Sequence, residues 1–170
     1  MSALLTASAA QAEDAGKTYA KVGGWDISAE SPNRCLMQRF YRSKNGKNVE
    51  GLTVLYAADK EGVLLLWSND RMTYLSIKGD LELGLIFGKG ESVDQSWGSR
   101  RLHYDKVGND YVFTRAFTSA DEAGRVLQAL AENEHIGLLL GPTLLTSIPL
   151  DASQAIEKLR ECSLNEGHAR

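Results

Sequence analysis

Three histidines, two cysteines and scattered carboxylates are the side chains with which this chain could run a reaction. His103 and Asp105 make the sharpest pair. In a strand, residues two apart share a face, and a carboxylate beside an imidazole orients it for general-base work on a serine or a water. That pair defines the catalytic alternative, a small hydrolase using His103 with Asp105; the same spacing also describes an ordinary surface pair. No G-x-S-x-G is present to supply the nucleophile. His135 falls at a helix-to-strand junction, where an imidazole bonds the last helical carbonyls, and His168 lies in the tail. Glu132 and Glu134 read as solvated groups after a helix. Glu91 and Asp94 flank a loop with Ser92, Gln95 and Ser96, but glycosidase chemistry needs two carboxyls at a set separation across a cleft, which spacing along the chain does not supply. Two distant cysteines and one His-x-Asp are too few ligands for a structural zinc site. The glycine-rich run Gly84–Gly90 has a Gly-Lys that is not followed by the Ser or Thr of a phosphate loop, and it ends a strand without opening a helix. No catalytic constellation, metal site or cofactor is assigned.

Binding chemistry is better represented. Arg34, Arg39, Arg42, Lys44 and Lys47 cluster around an early strand with Phe40 and Tyr41, and Arg100, Arg101 and Lys106 around a later one with Trp97 and Tyr104. Such surfaces suit an anionic polymer, a peptide carboxylate or a membrane surface; charges of this kind also guard exposed sheet edges against pairing. Trp97 sits in the polar run Asp94–Ser99, with no apolar face of its own and two arginines following. Aromatic and arginine side chains dominate contact hot spots, so Trp97, Arg100 and Arg101 are expected to form a surface for an envelope protein or an anionic ligand. The alternative is that the loop folds back and tucks the ring under the last helix. Trp25 and Trp67 lie in apolar strand context and are expected in the core. The net charge of −3 and pI near 5.6 argue against a dedicated nucleic-acid binder.

The elements that must position these residues follow from periodicity. The length, 170 residues, is about that of one domain, and 43% hydrophobic with 24% charged residues is an ordinary globular mix. Turn signals at Asn45-Gly46, Asp59–Gly62, Lys78-Gly79-Asp80, Gly88-Lys89-Gly90 and Gly108-Asn109-Asp110 separate runs suited to strands: Trp25–Ala29, Cys35–Arg42, Leu52–Ala58, Val63–Ser68, Met72–Ile77, Leu81–Phe87 and Tyr111–Phe117. Val63–Trp67 is apolar on both faces, as a central strand is, and Leu81, Leu83, Leu85 and Phe87 point one way. Ser119–Glu122 is a capping box opening a helix whose stripe is Ala123, Val126, Leu127 and Leu130, with Asn133 as its stop. Ile136–Leu140 reads as a short buried strand. A second capping box at Asp151–Gln154 opens a last helix, with the stripe Ala152, Ala155, Ile156, Leu159 and Cys162. The expected fold is α+β: a mostly antiparallel sheet of about six to eight strands, with two helices from the C-terminal half packed on it. One domain spans 23–164, after a polar lead-in at 13–22 and before a flexible tail at 165–170.

The first twelve residues speak to compartment. They carry no charge, and Ala10-Gln11-Ala12 has the small-x-small form that signal peptidase accepts, so 1–12 reads as the end of a secretion signal. The competing reading is an alanine-rich N-terminus of a cytosolic protein. No stretch approaches the roughly 18 apolar residues of a membrane span. Cys35 and Cys162 are the only cysteines; in an exported chain they read most simply as one disulfide fastening the last helix to an early strand, and in a reducing cytosol as two buried thiols. Gly24-Trp25-Asp26-Ile27 before the first cysteine, Trp67-Ser68-Asn69 at a strand end, and Pro149-Leu150 followed by Ala155-Ile156, Leu159 and Cys162 form a pattern. It is similar to that of small exported (periplasmic) domains of uncharacterised function from alphaproteobacteria, over roughly 23–162. The resemblance implies an extracytoplasmic domain with a disulfide and carries no functional residue. The functional expectation is an exported, noncatalytic domain that binds or supports another envelope component.

Overall fold

The structure, a computed structural model, describes residues 17–42, 49–69, 80–95, 97–102, 104–107 and 110–165. Strands β1 (Lys17–Val22), β2 (Trp25–Ser31), β3 (Arg34–Arg42), β4 (Val49–Ala57) and β5 (Gly62–Asn69) form a meander, each antiparallel to the next. Gly23 and Gly24 turn β1 into β2 at φ 58 and 80, left-handed values that a Cβ disfavours. The chain then leaves this sheet for β6 (Leu81–Lys89), β7 (Ser92–Asp94) and β8 (Ser99–Leu102), and returns through β9 (Tyr104–Val107) and β10 (Asp110–Phe117). β10 pairs along the far side of β5, completing a seven-stranded sheet in the order β1-β2-β3-β4-β5-β10-β9. Helix α1 (Ala120–Glu132) leads to β11 (His135–Leu140) and β12 (Thr143–Pro149), which extend the β6 sheet on one side while β7 and β8 share its other side. Helix α2 (Ser153–Asn165) comes last.

The expected architecture therefore holds in class and in its antiparallel pairing, and is corrected in extent. In place of one sheet of six to eight strands, the described residues hold twelve strands in two sheets of seven and five. The additional strands carry little alternating hydrophobicity. β7, β8 and β9 have three or four residues each, and β1 and β12 are edge strands with mostly exposed or half-buried side chains. Part of the polar lead-in expected at 13–22 is thus β1. The strand expected at Met72–Ile77, the turns at Asn45-Gly46, Lys78-Gly79 and Gly108-Asn109, the secretion remnant at 1–12 and the tail after Asn165 lie outside the described residues.

Helix expectations hold almost to the residue. Ser119 caps α1, its hydroxyl accepting from the Glu122 amide at 3.2 Å, and Ala123, Val126, Leu127 and Leu130 are the buried stripe. Asn133 closes the helix, its amide nitrogen donating to the Ala129 carbonyl at 2.8 Å. Ala155, Ile156, Leu159 and Cys162 are buried on α2. Asp151 does not cap it but turns the chain at φ 45, and its carbonyl accepts from the Trp25 indole at 3.3 Å.

The inner face of the seven-stranded sheet carries Trp25, Ile27, Met37, Leu52 and Val54, all without solvent exposure. α2 packs over β1 to β4, and α1 sits against α2, β5, β10 and β6. The second sheet brings Leu83, Leu85 and Leu138 over Leu65, Trp67 and Phe113, around a cavity of only about 20 Å³. The Leu150 carbonyl, at the entry to α2, accepts from Trp25 Nε1 at 3.2 Å and from Arg39 Nη1 at 3.1 Å. Cys35 on β3 and Cys162 on α2, both fully buried, are bonded to each other across a separation of 127 residues. Closing a loop of that length removes about 4–5 kcal/mol of chain entropy from the unfolded state, although measured gains are often smaller. The double variant Cys35→Ala/Cys162→Ala is expected to lose about 2–5 kcal/mol of unfolding free energy in urea; a loss below about 0.5 kcal/mol, within the range of a neutral surface change, would deny the bridge its stabilising role.

Candidate functional site

One strand changes sheets, and that change makes the cleft. β8 and β9 follow one another with only residue 103 between them, yet β8 pairs with β6 in the second sheet and β9 with β10 in the first. The pairing of β9 ends where Tyr104 meets Phe113. Beyond that point β10 keeps β5 on one side, from Thr114 opposite Leu66 to Phe117 opposite Val63, and among the described residues no strand pairs its other side. The walls diverge into an open cleft of about 210 Å³, lined on one side by Arg100, Arg101 and Leu102 and on the other by Thr114 to Phe117, with Glu122 of α1 at its margin.

Its electrostatics are one-sided. Arg100 and Arg101 are exposed; Arg115 is half-buried and crosses between the walls, Nη2 donating to the Trp97 carbonyl at 2.7 Å and Nη1 reaching the Gly98 carbonyl at 3.4 Å. Its guanidinium lies over the Phe117 ring at 5.1 Å. Burial, and then the Arg100 charge, hold the Arg115 pKa below its ordinary value, with Glu122 opposing them. Among the described residues no carboxylate stands within ion-pairing distance of Arg100, Arg101 or Arg115. Three arginines and one glutamate line the open space, with Glu82 beside Arg101 on the outer face of the second sheet, an excess of positive charge that accepts an anion.

Trp97 is corrected. Expected as an exposed contact, it is only 8% exposed and is packed against Phe87 at 5.3 Å and edge-on to Phe117 at 5.9 Å between ring centres. Its indole nitrogen donates to Asp94 at 3.1 Å, and Arg125 of α1 covers it at 4.9 Å. The ring is thus under the first helix, not the last. The segment reads as polar because its only apolar side chain points inward between β7 and β8. Trp97 belongs to the site through its carbonyl, which holds Arg115.

Of the other candidates, Asp105 is exposed on β9, while His103 and His168 lie outside the described residues. His135 is exposed at the start of β11. Of the early basic cluster, Arg39 is committed to the Leu150 carbonyl and to the Tyr41 ring, and Lys44 and Lys47 lie outside the described residues. Phe40, 60% exposed, covers Gly51, where a Cβ would stand 2.9 Å from its ring. Arg115 and Glu122 are the cleft residues that sequence reasoning passed over. The signal for Arg115 is its phase, since Phe113, Arg115 and Phe117 share one face of β10.

A second charge in apolar phase is Glu50, in step with Leu52 and Val54 on β4. It is buried, and one carboxylate oxygen accepts from Trp67 Nε1 at 2.7 Å, Asn69 Nδ2 at 2.8 Å and the Thr146 hydroxyl at 2.6 Å. Thr146 belongs to β12, so these bonds tie the two sheets and Glu50 serves as a structural anchor. Beside it, the buried Tyr41 hydroxyl has no hydrogen-bond partner among the described residues. Burial first, with the Glu50 and Asp151 charges adding and Arg39 opposing, pushes its pKa up to about 12. The folded chain thus keeps this proton where the unfolded chain releases it. Its contribution is full below pH 10.0 and falls as pH rises from there to about 12. Tyr41→Phe is expected to be neutral or stabilising by up to about 1 kcal/mol at neutral pH and to lose stability less steeply above pH 10.0; a loss beyond about 1 kcal/mol at neutral pH would mean the hydroxyl is bonded.

Comparison with protein-family models and with curated proteins returns no match. Among solved structures the chain is similar to invasion associated protein B from Bartonella henselae, at 15% identity and a TM-score of 0.58, over 86% of this chain and 97% of that one. At that identity the likeness is one of fold: the two chains share an architecture along nearly their whole lengths.

Proposed function

We propose that the chain is an exported, noncatalytic domain that engages an anionic group of another envelope component through the Arg100–Arg101–Arg115 cleft. The cleft itself carries the proposal: three arginines and one glutamate line an open space of about 210 Å³. Arginine suits this role because its planar fork bonds carboxylate or phosphate oxygens in pairs and stays charged at any physiological pH. The Trp97 and Gly98 carbonyls hold Arg115 across the gap before any ligand arrives, which lowers the ordering cost of binding. Export is supported by the buried Cys35–Cys162 bridge, since such bonds persist in oxidising compartments, and by the uncharged, alanine-rich start of the chain.

Titrating the folded chain with polyglutamate tests the proposal. Binding is expected to weaken steeply between low and physiological salt. In Arg100→Ala/Arg101→Ala the Kd is expected to rise about tenfold with an unchanged unfolding midpoint, because both side chains are exposed. Salt-insensitive binding, or a double variant that binds as the parent does, contradicts it.

A further inference from the structure

The cleft has a second property that a pocket for a small anion does not need. From Thr114 to Phe117, β10 is hydrogen-bonded to β5 on one side, and its other side faces the cleft beyond the last β9 pair. In an antiparallel strand alternate residues turn both N–H and C=O to the same side, so this stretch offers the cleft a row of main-chain donors and acceptors. The opposite wall adds charge on two levels. Arg100 stands opposite Leu83 and Arg101 opposite Glu82, and cross-strand partners share a face. Arg100 therefore lies on the core side with Arg115, and Arg101 on the solvent side.

We infer that the cleft takes an extended acidic peptide segment of a partner by strand addition to the edge of β10 that, among the described residues, has no paired strand. Main-chain bonds to Thr114–Phe117 hold the segment without regard to its sequence, and successive side chains project to opposite faces. An acidic residue directed inward meets Arg100 and Arg115, and its neighbour directed outward meets Arg101. The same arginines disfavour a second cationic edge, so the site selects by charge what an uncharged free edge would accept indiscriminately. This inference rests on the proposed function in one respect, that the cleft binds an anionic group; the strand geometry is its own content.

The test uses a short peptide with a pair of adjacent glutamates between valines, so that both faces carry charge, and two forms of it in which one or the other set of alternate amides is N-methylated. Methylation leaves the charge and removes the main-chain donors from one side. The unmodified peptide is expected to bind, and methylation on the pairing side to weaken binding roughly tenfold or more. Binding is also expected to protect the cleft-facing amides of Thr114–Phe117 from hydrogen exchange. Arg100→Ala/Arg101→Ala should weaken the unmodified peptide as it weakens polyglutamate. Equal binding of the peptide and both of its methylated forms, without new amide protection, overturns strand addition and leaves the anion site standing. Failure of these peptides and of polyglutamate alike overturns both.

Discussion

The inner face of the seven-stranded sheet must be kept from water across its full width, and no single element of a chain this size is wide enough to cover it. Helices cover one half and a second sheet the other. α2 lies over β1 to β4, where the Cys35–Cys162 bond and the shared Leu150 carbonyl hold it. The five-stranded sheet lies over β5 and β10, where the bonds from Trp67, Asn69 and Thr146 to Glu50 tie the two layers. α1 fills the seam between the covers. The disulfide and the buried carboxylate thus act on opposite halves of one core, the first by limiting the unfolded chain and the second by pairing the buried Trp67 and Asn69 donors and the half-buried Thr146 hydroxyl.

A cover made of two kinds of structure forces the chain to cross between them. β8 and β9 make that crossing with a single residue between them, and two sheets packed face to face cannot both keep pairing past it. Among the described residues the edge of β10 is left open for that reason, and the cleft follows from the packing of the core. Arg115 spans the opening at the cost of desolvating its own guanidinium, which is why its pKa falls. Trp97 fills the apolar space behind it, between Phe87 and Phe117. The residues that look most like a contact surface in the sequence are therefore divided by the fold. The arginines face the cleft, and the tryptophan supports them from within.

What could be read from the sequence was whatever has a period. The α1 stripe, its caps at Ser119 and Asn133, the alternation from Leu81 to Phe87 and the inward phase of Cys162 all repeat local geometry, and the structure reproduces them. β7 and β8 are too short to show a period, and β1 and β12 lie at edges where few side chains are buried. The second sheet was illegible because its pairing partners are far apart in the chain, β6 meeting β11 across more than forty residues. Of the cleft, Arg100 and Arg101 were legible as a cationic pair, but Arg115 required knowing which strand bears its wall. Trp97 was misread because a single inward ring in a polar loop has no pattern. Arg115 and Glu50 share a signal of wider use: a charge in step with apolar neighbours on a strand marks a side chain that the fold has found a partner for.

The proposed strand addition depends on whether β10 has a free side beyond Phe113. Amide hydrogen exchange on the unliganded protein reads this directly, residue by residue. Along Thr114–Phe117 alternation is expected: amides bonded to β5 protected like the core, and those between them exchanging as exposed groups do. Uniform protection from Tyr111 through Phe117 would mean that another segment already occupies that edge, and the cleft described here would have no main-chain groups to offer.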